Sequence, residues 1–178
     1  MIGLTLRSPR LLLRPLGPDD APTIAALMEW DVVRWLSLPP WPYHLADAQW
    51  FVAAAAPDGE IARSGERTWA LAEPGEPTRL LGVIGLGEEL GYWIGRSHWG
   101  RGLMGEAARM VLQAHFARPE AGDVASGYFE GNERSAAIRR RLGFVPDGSR
   151  RTFLRSRGEA LPEHRTRLTR AGWEALSR

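Results

Sequence analysis

The sequence predicts a single domain of mixed α/β class with a mostly antiparallel sheet. Segments rich in aromatic and β-branched residues alternate with helical segments, and residues 91–116 give a strand, a glycine turn and a helix in succession. No linker-like or repetitive stretch divides the chain. With 178 residues, 44% of them hydrophobic, it is long enough to bury a core of its own. One domain is therefore expected over residues 1–178.

The first third of the chain predicts one strand and two helices. Residues 4–16 alternate and then become apolar, which favours a strand. A helix is expected to follow an N-cap at Asp19 or Asp20, because the aspartate side chain accepts hydrogen bonds from first-turn N–H groups. A second helix is expected over residues 46–56, ended by a turn at Pro57-Asp58-Gly59.

The rest of the chain predicts further strands, two helices and a final hairpin. Strands are expected over residues 68–73, 79–87, 88–95 and 124–129. One helix is expected to end near residue 117, and another to cover residues 135–142. Turns are expected at Pro74-Gly75-Glu76-Pro77, Pro146-Asp147-Gly148 and Arg157-Gly158, the last two within the final hairpin.

The stretch from Gly91 to Phe116 carries the clearest chemical signal. Its glycines at positions 100, 102 and 105 precede a helix, whose first N–H groups lack intrahelical partners and lie at the positive end of the helix dipole. Because glycine has no Cβ, a phosphate can approach this backbone closely, and Arg96 and Arg101 add positive charge. The stretch therefore predicts a ligand that carries phosphates.

Two common phosphate-binding motifs fit this stretch poorly. A P-loop requires a lysine after its last glycine, and the chain contains no lysine. A dinucleotide fold requires G-x-G-x-x-G after an early strand and an acidic residue about 20 positions later. Gly100, Gly102, Gly105 and Asp123 give that spacing, but the turn lies mid-chain without the surrounding βαβ repeat.

The same stretch resembles a known family. Tyr92-Trp93-Ile94, Trp99-Gly100-Arg101-Gly102-Leu103-Met104 and Glu106-Ala107 are similar to the acetyl-CoA-binding segment of the GNAT superfamily of N-acetyltransferases, in particular its RimJ/RimL-like branch of ribosomal-protein N-terminal acetyltransferases. Asn132-Glu133-Arg134-Ser135 resembles the family's Asn-x-x-Ser helix, Leu142-Gly143-Phe144 its Leu-Gly-Phe ending, and Leu12-Leu13-Arg14-Pro15-Leu16 its first strand. The resemblance covers nearly the whole chain.

The resemblance implies a fold and an activity. The expected fold has three layers, α/β/α, with a mixed, mostly antiparallel sheet whose parallel central strands splay apart. The strand at residues 92–94 is expected to carry a bulge and to splay from the strand at residues 124–129, so that the pantetheine arm of acetyl-CoA fits between them. The expected activity is direct transfer of acetyl from acetyl-CoA to a primary amine in a ternary complex, with a protein N-terminal α-amine as the favoured acceptor.

The resemblance also implies which residues bind the acetyl donor. Backbone N–H groups near Ile94 would face the thioester carbonyl, and Asn132 would contact the pantetheine arm besides capping its helix. Gly105 departs from the threonine common in this branch. The implied donor-binding residues are Tyr92, Trp93, Ile94, Arg96, Trp99, Gly100, Arg101, Gly102, Leu103, Met104, Gly105, Asn132 and Ser135.

Candidate catalytic residues lie on either side of this segment. The resemblance implies that the Ser135 hydroxyl stabilises or protonates the departing thiolate. Many relatives use a tyrosine as this acid, but Arg139 occupies that position here, which leaves Ser135 as the candidate. Glu88 and Glu89 are candidates for the base that takes the amine proton through water, and alternation places Glu88 in phase with Tyr92. The alternative is a solvated acidic pair at the start of a strand, and Glu130 is a further candidate base.

Aromatic residues concentrate between the first two predicted helices. Such a cluster is more typical of a core than of a binding wall. In the resembled family, however, the loop between these helices forms one side of the acceptor groove, which makes Trp35 and Trp41 candidate substrate-binding residues. The cluster consists of Trp30, Trp35, Trp41, Tyr43 and Trp50.

Composition excludes several other functions. Without cysteine the chain has neither disulfides nor a thiol nucleophile, and its four histidines show no metal-binding spacing, so no metal is expected. Of these, His98 is expected to face solvent in its turn. No secretory leader and no long apolar run is apparent, so a cytoplasmic protein without a membrane segment is expected.

The charge pattern leaves the partner open. All 23 basic residues are arginine, many of them after Arg134, which suits an acidic or ribosome-associated acceptor. Nucleic-acid binding is not expected, because no recognition-helix or RNA-binding aromatic motif accompanies the arginines. The alternatives are acetylation of a small molecule such as an antibiotic, an amino acid or a polyamine, and a non-catalytic module that binds acyl-CoA. A homodimer is a further expectation.

Overall fold

Two antiparallel sheets form the centre of the computed structural model, which describes residues 5–56 and 59–176. The larger sheet has the order β1-β2-β3-β4-β5, with strands Leu6–Arg7, Leu12–Arg14, Arg67–Glu73, Glu76–Leu86 and Leu90–Ile94. The smaller sheet has the order β6-β8-β7 and contains the strands β6 Val124–Phe129, β7 Val145–Leu154 and β8 Glu159–Leu168.

The two sheets meet at one point and then separate. An isolated parallel bridge joins Glu89, just before β5, to Ala125 in β6. Beyond it, the described part of β5 pairs with β4, and that of β6 pairs with β8. The expected splay of two parallel central strands is therefore confirmed, and it leaves an opening between β5 and β6.

Helices cover both faces of the larger sheet. Alternate residues of β3 point in opposite directions, so Ala70 joins a buried cluster with α1 to α3 while Leu71 joins one with α5 and α7. This arrangement confirms the three-layer α/β/α architecture. The helices are α1 Ala21–Leu27, α2 Trp30–Val33, α3 Leu45–Ala55, α4 Glu60–Arg63, α5 Leu103–Phe116, α6 Glu133–Arg141 and α7 Arg170–Leu176. No helix among the described residues is long and apolar enough to span a membrane.

The first strand differs from its prediction. Instead of one strand over residues 4–16, the described part of this segment contains the two short strands β1 and β2, which pair antiparallel. Ser8 causes the break, because its hydroxyl accepts a hydrogen bond from the Leu11 backbone N–H at 2.9 Å and closes a turn. Leu4, Pro57 and Asp58 lie outside the described residues.

Two further predictions are corrected, and some short helices were not predicted. The β4–β5 register runs without a shift from Gly82 opposite Ile94 to Leu86 opposite Leu90, so the expected bulge at residues 92–94 is absent from this pairing. Residues 146–148 form an irregularity inside β7 rather than a turn, because β8 continues the pairing on both sides. The short helices α2, α4 and α7 were not predicted, since none is long enough to show a clear helical period.

Candidate active site

A cavity of about 860 Å³ occupies the opening between β5 and β6. Its walls come from β5, from the glycine turn before α5, from α6 and from the loop after α2. Residues from the smaller sheet close the remaining side. The separation of β5 from β6 therefore creates a large concave site, which is where a ligand is expected to bind.

The glycine turn forms one end of this cavity. Gly100 and Gly102 have φ values of 75° and 74°, a left-handed conformation that glycine adopts without strain. Gly102 is the N-cap of α5 and has no side chain to accept hydrogen bonds from the first-turn N–H groups. These N–H groups remain available to an anion, which is the property that the predicted phosphate-bearing ligand requires. Trp99, Leu103, Met104 and Gly105 also line the cavity.

The two predicted arginines of this segment point elsewhere. Arg96 forms an ion pair with Asp31 at 2.9 Å, and Arg101 forms one with Glu73 at 2.7 Å. Neither is among the residues that line the cavity. The positive charge of the cavity near the glycine turn comes instead from Arg109 of α5 and from Arg134. The Arg134 guanidinium lies 3.9 Å from the centre of the Trp99 ring.

The prediction for His98 is wrong. The short helical turn Arg96–His98 folds the imidazole inward, and only 8% of the residue is exposed. Burial lowers the pKa of His98, and the neighbouring positive charge of Arg101 lowers it further. A solvent-facing position was expected for a turn residue. The sequence does not show how this turn packs, so the burial of His98 was missed.

Backbone N–H groups of β5 point into the opening. Gly95 donates its N–H to Leu81 across the β4–β5 ladder at 2.9 Å. Because antiparallel residues alternate between facing the partner strand and facing away, the N–H and C=O groups of Ile94 and Tyr92 point away from β4. The Ile94 carbonyl accordingly accepts a hydrogen bond from the Trp99 indole at 2.9 Å. The side chains of Tyr92, Trp93 and Ile94 also line the cavity.

Asn132 and Ser135 lie at the start of α6, and Arg139 lies in its last turn. The Asn132 side chain accepts a hydrogen bond from the Ser135 N–H at 3.3 Å, which confirms its role as an N-cap. Ser135 and Arg139 lie four positions apart, so one helix face presents both to Tyr92. Arg139 donates hydrogen bonds to the Ser135 hydroxyl and, at 2.8 Å, to the Tyr92 hydroxyl.

The candidate carboxylates have different surroundings. Glu88 is exposed and is not among the residues that line the cavity, whereas Glu89 lines it. Both oxygens of Glu89 accept hydrogen bonds from Arg165, at 2.6 and 2.8 Å. Glu130 is exposed and does not line the cavity either. Glu89 is thus the candidate base that the fold brings to the cavity.

Glu163 is a cavity residue that the sequence did not indicate. It is 5% exposed and accepts hydrogen bonds from Arg150 at 2.7 Å, from Thr152 at 2.6 Å and from Arg165 at 2.9 Å. Burial alone would raise the pKa of Glu163, but these hydrogen bonds together lower it below the usual 4.5. Arg165 bridges Glu163 to Glu89, so the four charged side chains form one network.

This network gives a pH-dependent stability. Because the folded protein binds protons at Glu163 less readily than the unfolded chain, the carboxylate stabilises the fold above about pH 4.5 and less so as the pH falls through the lowered value. We expect Glu163→Gln to lose about 3 kcal/mol near neutral pH, since Arg150 and Arg165 lose a buried partner. Urea unfolding should show this loss shrinking as the pH is lowered below about 4.5.

Glu159→Gln is the matched control for this prediction. Glu159 lies on the same strand and pairs with Arg157 at 2.6 Å, but its side chain is 51% exposed. Its replacement should cost less than about 1 kcal/mol, as is usual for surface ion pairs. A loss for Glu163→Gln that does not change with pH would show that the lost stability comes from packing rather than from the carboxylate charge.

The candidate acceptor residues are separated in the structure. Trp35 lines the cavity, as do Val32, Leu36 and Ser37 of the same segment. Trp41 does not; it is 45% exposed and its ring centre lies 5.5 Å from that of Trp30. Among the described residues, no three histidine or acidic side chains are grouped as metal ligands would be.

Comparison with known proteins places this architecture among acetyltransferases. The model of the acetyltransferase (GNAT) domain matches residues 10–145. A curated relative, "Putative ribosomal N-acetyltransferase YdaF" from Bacillus subtilis (strain 168), is 36% identical over 66 residues, which cover 37% of this chain and 36% of that protein. The matched segment thus spans little more than a third of the relative's length.

Two solved structures share the fold over nearly their whole length. The ribosomal-protein-S5-alanine acetyltransferase from Vibrio fischeri is 17% identical with a TM-score of 0.77, covering 96% of this chain and 99% of that one. RimL, a ribosomal L7/L12 α-N-protein acetyltransferase solved in complex with coenzyme A, is 17% identical with a TM-score of 0.76, covering 94% and 97% of the two chains. At such identities the likeness concerns the fold.

Proposed function

Because this chain belongs to the acetyltransferase (GNAT) domain family, we propose that it transfers an acetyl group from acetyl-CoA to a primary amine. The observation that carries the proposal is that the glycine turn and the outward-facing N–H groups of β5 open into one cavity. Phosphates bound at the turn would leave the rest of the donor to extend between β5 and β6. The first-turn N–H groups of α5 have no side-chain cap and can donate hydrogen bonds to an anion, which supports this assignment.

The proposed roles follow from which atoms point into the cavity. The donor supplies an acetyl group as a thioester. The N–H groups of Leu103, Met104 and Gly105 bind its phosphates, with Arg134 and Arg109 adding positive charge. The N–H of Ile94 hydrogen-bonds the acetyl carbonyl oxygen more strongly as that oxygen gains negative charge.

The reaction needs one proton removed and one supplied. The amine nitrogen bonds to the acetyl carbon as the carbon–sulfur bond breaks, and the electron pair of that bond leaves with sulfur. The nitrogen loses a proton, and Glu89 is the proposed base. A water molecule carries the proton to Glu89, because Arg165 already binds both carboxylate oxygens of Glu89. The sulfur gains a proton in the end, and the Ser135 hydroxyl lies on the cavity wall to supply it.

We propose a protein N-terminal amine as the acceptor. The name of the Bacillus subtilis relative refers to a ribosomal N-acetyltransferase, which favours this class over small amines. Trp35 and the neighbouring Leu36 give the cavity an apolar wall, against which an acceptor chain can pack. Trp41 and its neighbour Trp30 extend an apolar surface outside the cavity.

A transfer assay tests this function. Coenzyme A release should require acetyl-CoA and a peptide with a free N-terminus, and should stop when that N-terminus is blocked by a formyl group. Thermal unfolding is measured in parallel, because acetyl-CoA at about 100 times its dissociation constant should stabilise the protein by about 2.7 kcal/mol. Stabilisation without transfer to any amine would indicate a binding module, and no stabilisation would contradict the proposal.

A pair of variants tests the base. Glu89→Gln should lower kcat by about 100-fold or more while acetyl-CoA binding is retained, because the amide cannot accept the proton. Glu88→Gln should leave kcat within about twofold, since Glu88 is exposed and outside the cavity wall. Equal losses in both variants, or a loss only in Glu88→Gln, would contradict the assignment of Glu89.

A further inference from the structure

Arg139 is a buried cation at the opening between β5 and β6. Only 5% of the residue is exposed, although it lines the cavity. Its hydrogen-bond partners are the hydroxyl oxygens of Tyr92, Ser135 and Ser126 and the backbone carbonyl of Ser135. None of these oxygens carries a charge, so the guanidinium is desolvated without a carboxylate bound to it.

A buried charge without a counter-ion is costly. Burial penalises a cation by several kcal/mol unless an anion compensates it. The ionisable groups that act on Arg139 from the surrounding elements are Tyr92 of β5, Tyr128 of β6, Glu163 of β8 and Glu89, but the two carboxylates are bound by Arg150 and Arg165. The site is therefore built for an anion that the protein alone does not supply.

The guanidinium is also fixed in one orientation. Its Nε donates to the Ser126 hydroxyl at 2.9 Å, and that hydroxyl donates to the Leu90 carbonyl at 2.6 Å. Ser126 is fully buried in β6, and Leu90 lies in β5, so the anchor spans both strands at the base of the opening. This anchor aims Nη1 at the Tyr92 and Ser135 hydroxyls.

Arg139 decides what these two hydroxyls can do. A guanidinium has only donors, so each hydroxyl oxygen must accept from it. Their own O–H protons make only two long contacts, from the Ser135 hydroxyl to the Tyr92 oxygen at 3.4 Å and from the Tyr92 hydroxyl to the Ser135 carbonyl at 3.5 Å, among the described residues. Shorter acceptors can therefore take both protons. Tyr92 and Ser135 are thus set as hydrogen-bond donors at the cavity wall, with a positive charge directly behind them.

We propose that Arg139 provides the positive charge that stabilises the thiolate released from the acetyl donor, acting through the Tyr92 and Ser135 hydroxyls. This inference rests on the proposed function. When the carbon–sulfur bond breaks, the sulfur keeps the electron pair, and the two hydroxyls donate hydrogen bonds to it. Arg139 remains protonated throughout and is a positioning residue, while the proton that finally reaches sulfur comes through a hydroxyl that is refilled from water.

Titration of bound coenzyme A tests this role without catalysis. The thiolate is followed by its ultraviolet absorbance in the complex with coenzyme A, as a function of pH. A positive charge within about 4–6 Å of an acid lowers the pKa of that acid by about one unit or more. We therefore expect Arg139→Gln to reduce the ratio of thiolate to thiol at a given pH by at least about tenfold. Arg139→Lys should retain part of the effect.

Arg140→Gln is the matched control, because Arg140 is the next residue of α6 but is exposed. It removes the same charge from the same helix and should leave the thiol titration unchanged. Equal shifts in the two variants would overturn the proposal, since a diffuse field would then explain the effect. Tyr92→Phe and Ser135→Ala should each give a smaller shift of the thiol titration in the same direction. If neither variant shifts the titration, the proposal is also overturned.

Two further outcomes are distinguished by the same measurement. If coenzyme A does not bind the unaltered protein, the proposed function fails. If it binds but its thiol titrates alike with and without Arg139, only the present inference fails. Should Arg139→Gln not fold, Arg139→Lys and Ser126→Ala decide the question, because Ser126→Ala releases the guanidinium from its anchor while keeping the charge.

Discussion

Replacement of Gly102 by glutamate should abolish acetyl-CoA binding, with a loss of affinity of at least about 100-fold. The left-handed φ of 74° at this N-cap disfavours any residue with a Cβ. The added carboxylate would also lie where phosphates are expected and would accept hydrogen bonds from the N–H groups that are proposed to bind them. Thermal unfolding with and without acetyl-CoA measures the loss, because the stabilisation by ligand should disappear.

Gly158→Glu is the control for backbone strain. Gly158 has a similar φ of 66° and open space around it, but it lies in the turn between β7 and β8 rather than at the cavity. Both variants should lose about 1–2 kcal/mol of stability from the left-handed conformation. Only Gly102→Glu should lose the ligand. If both retain the stabilisation by acetyl-CoA, the glycine turn is not the phosphate site.

Replacement of Gly82 by alanine should cause the largest loss of stability among the glycines of the sheet. A Cβ there would collide with the Trp93 carbonyl oxygen and lie 2.7 Å from the Ile94 Cα. Both are backbone atoms of β5, which cannot move without opening the β4–β5 ladder. We expect a loss of about 3 kcal/mol, corresponding to a decrease in Tm of about 6–12 °C for a domain of this size.

Gly91→Ala is the matched control in the same strand pair. Gly91 lies in β5, and a Cβ added to it would have no atom within 4 Å. Alanine should therefore be tolerated there within about 0.5 kcal/mol. The decrease in Tm of Gly82→Ala should accompany weaker acetyl-CoA binding, because the displaced strand carries the Ile94 N–H. A Tm equal to that of Gly91→Ala would show that the two strands are less closely packed than the structure indicates.

Much of the fold follows from local sequence. Residues 124–129 were predicted as a strand with the bounds observed, and the second predicted helix differs from α3 by one residue at each end. The family resemblance added the splay of β5 from β6. The strand and the helix depend on patterns within short windows of sequence, where periodicity and turn residues specify conformation.

At the candidate site, backbone features were easier to predict than the partners of charged side chains. Glycines at 100, 102 and 105 indicated a phosphate turn, because the absence of a Cβ and the start of a helix are visible in the sequence. Asn132 was likewise predicted as an N-cap. By contrast, Arg96 and Arg101 were expected beside the phosphates, and ion pairs with Asp31 and Glu73 hold them elsewhere. Spacing along the chain does not show which acidic partner an arginine finds.

Sequence alone determined that this chain has a glycine turn before a helix, a helix capped by Asn132 and the strands that flank both. Only the tertiary structure decided which charges surround the cavity. Arg139 meets Tyr92 across 47 positions and Arg165 meets Glu89 across 76, and such long-range pairs are set by how the two sheets meet. Local conformation depends on neighbouring residues, whereas charge compensation depends on which distant side chains the fold brings together.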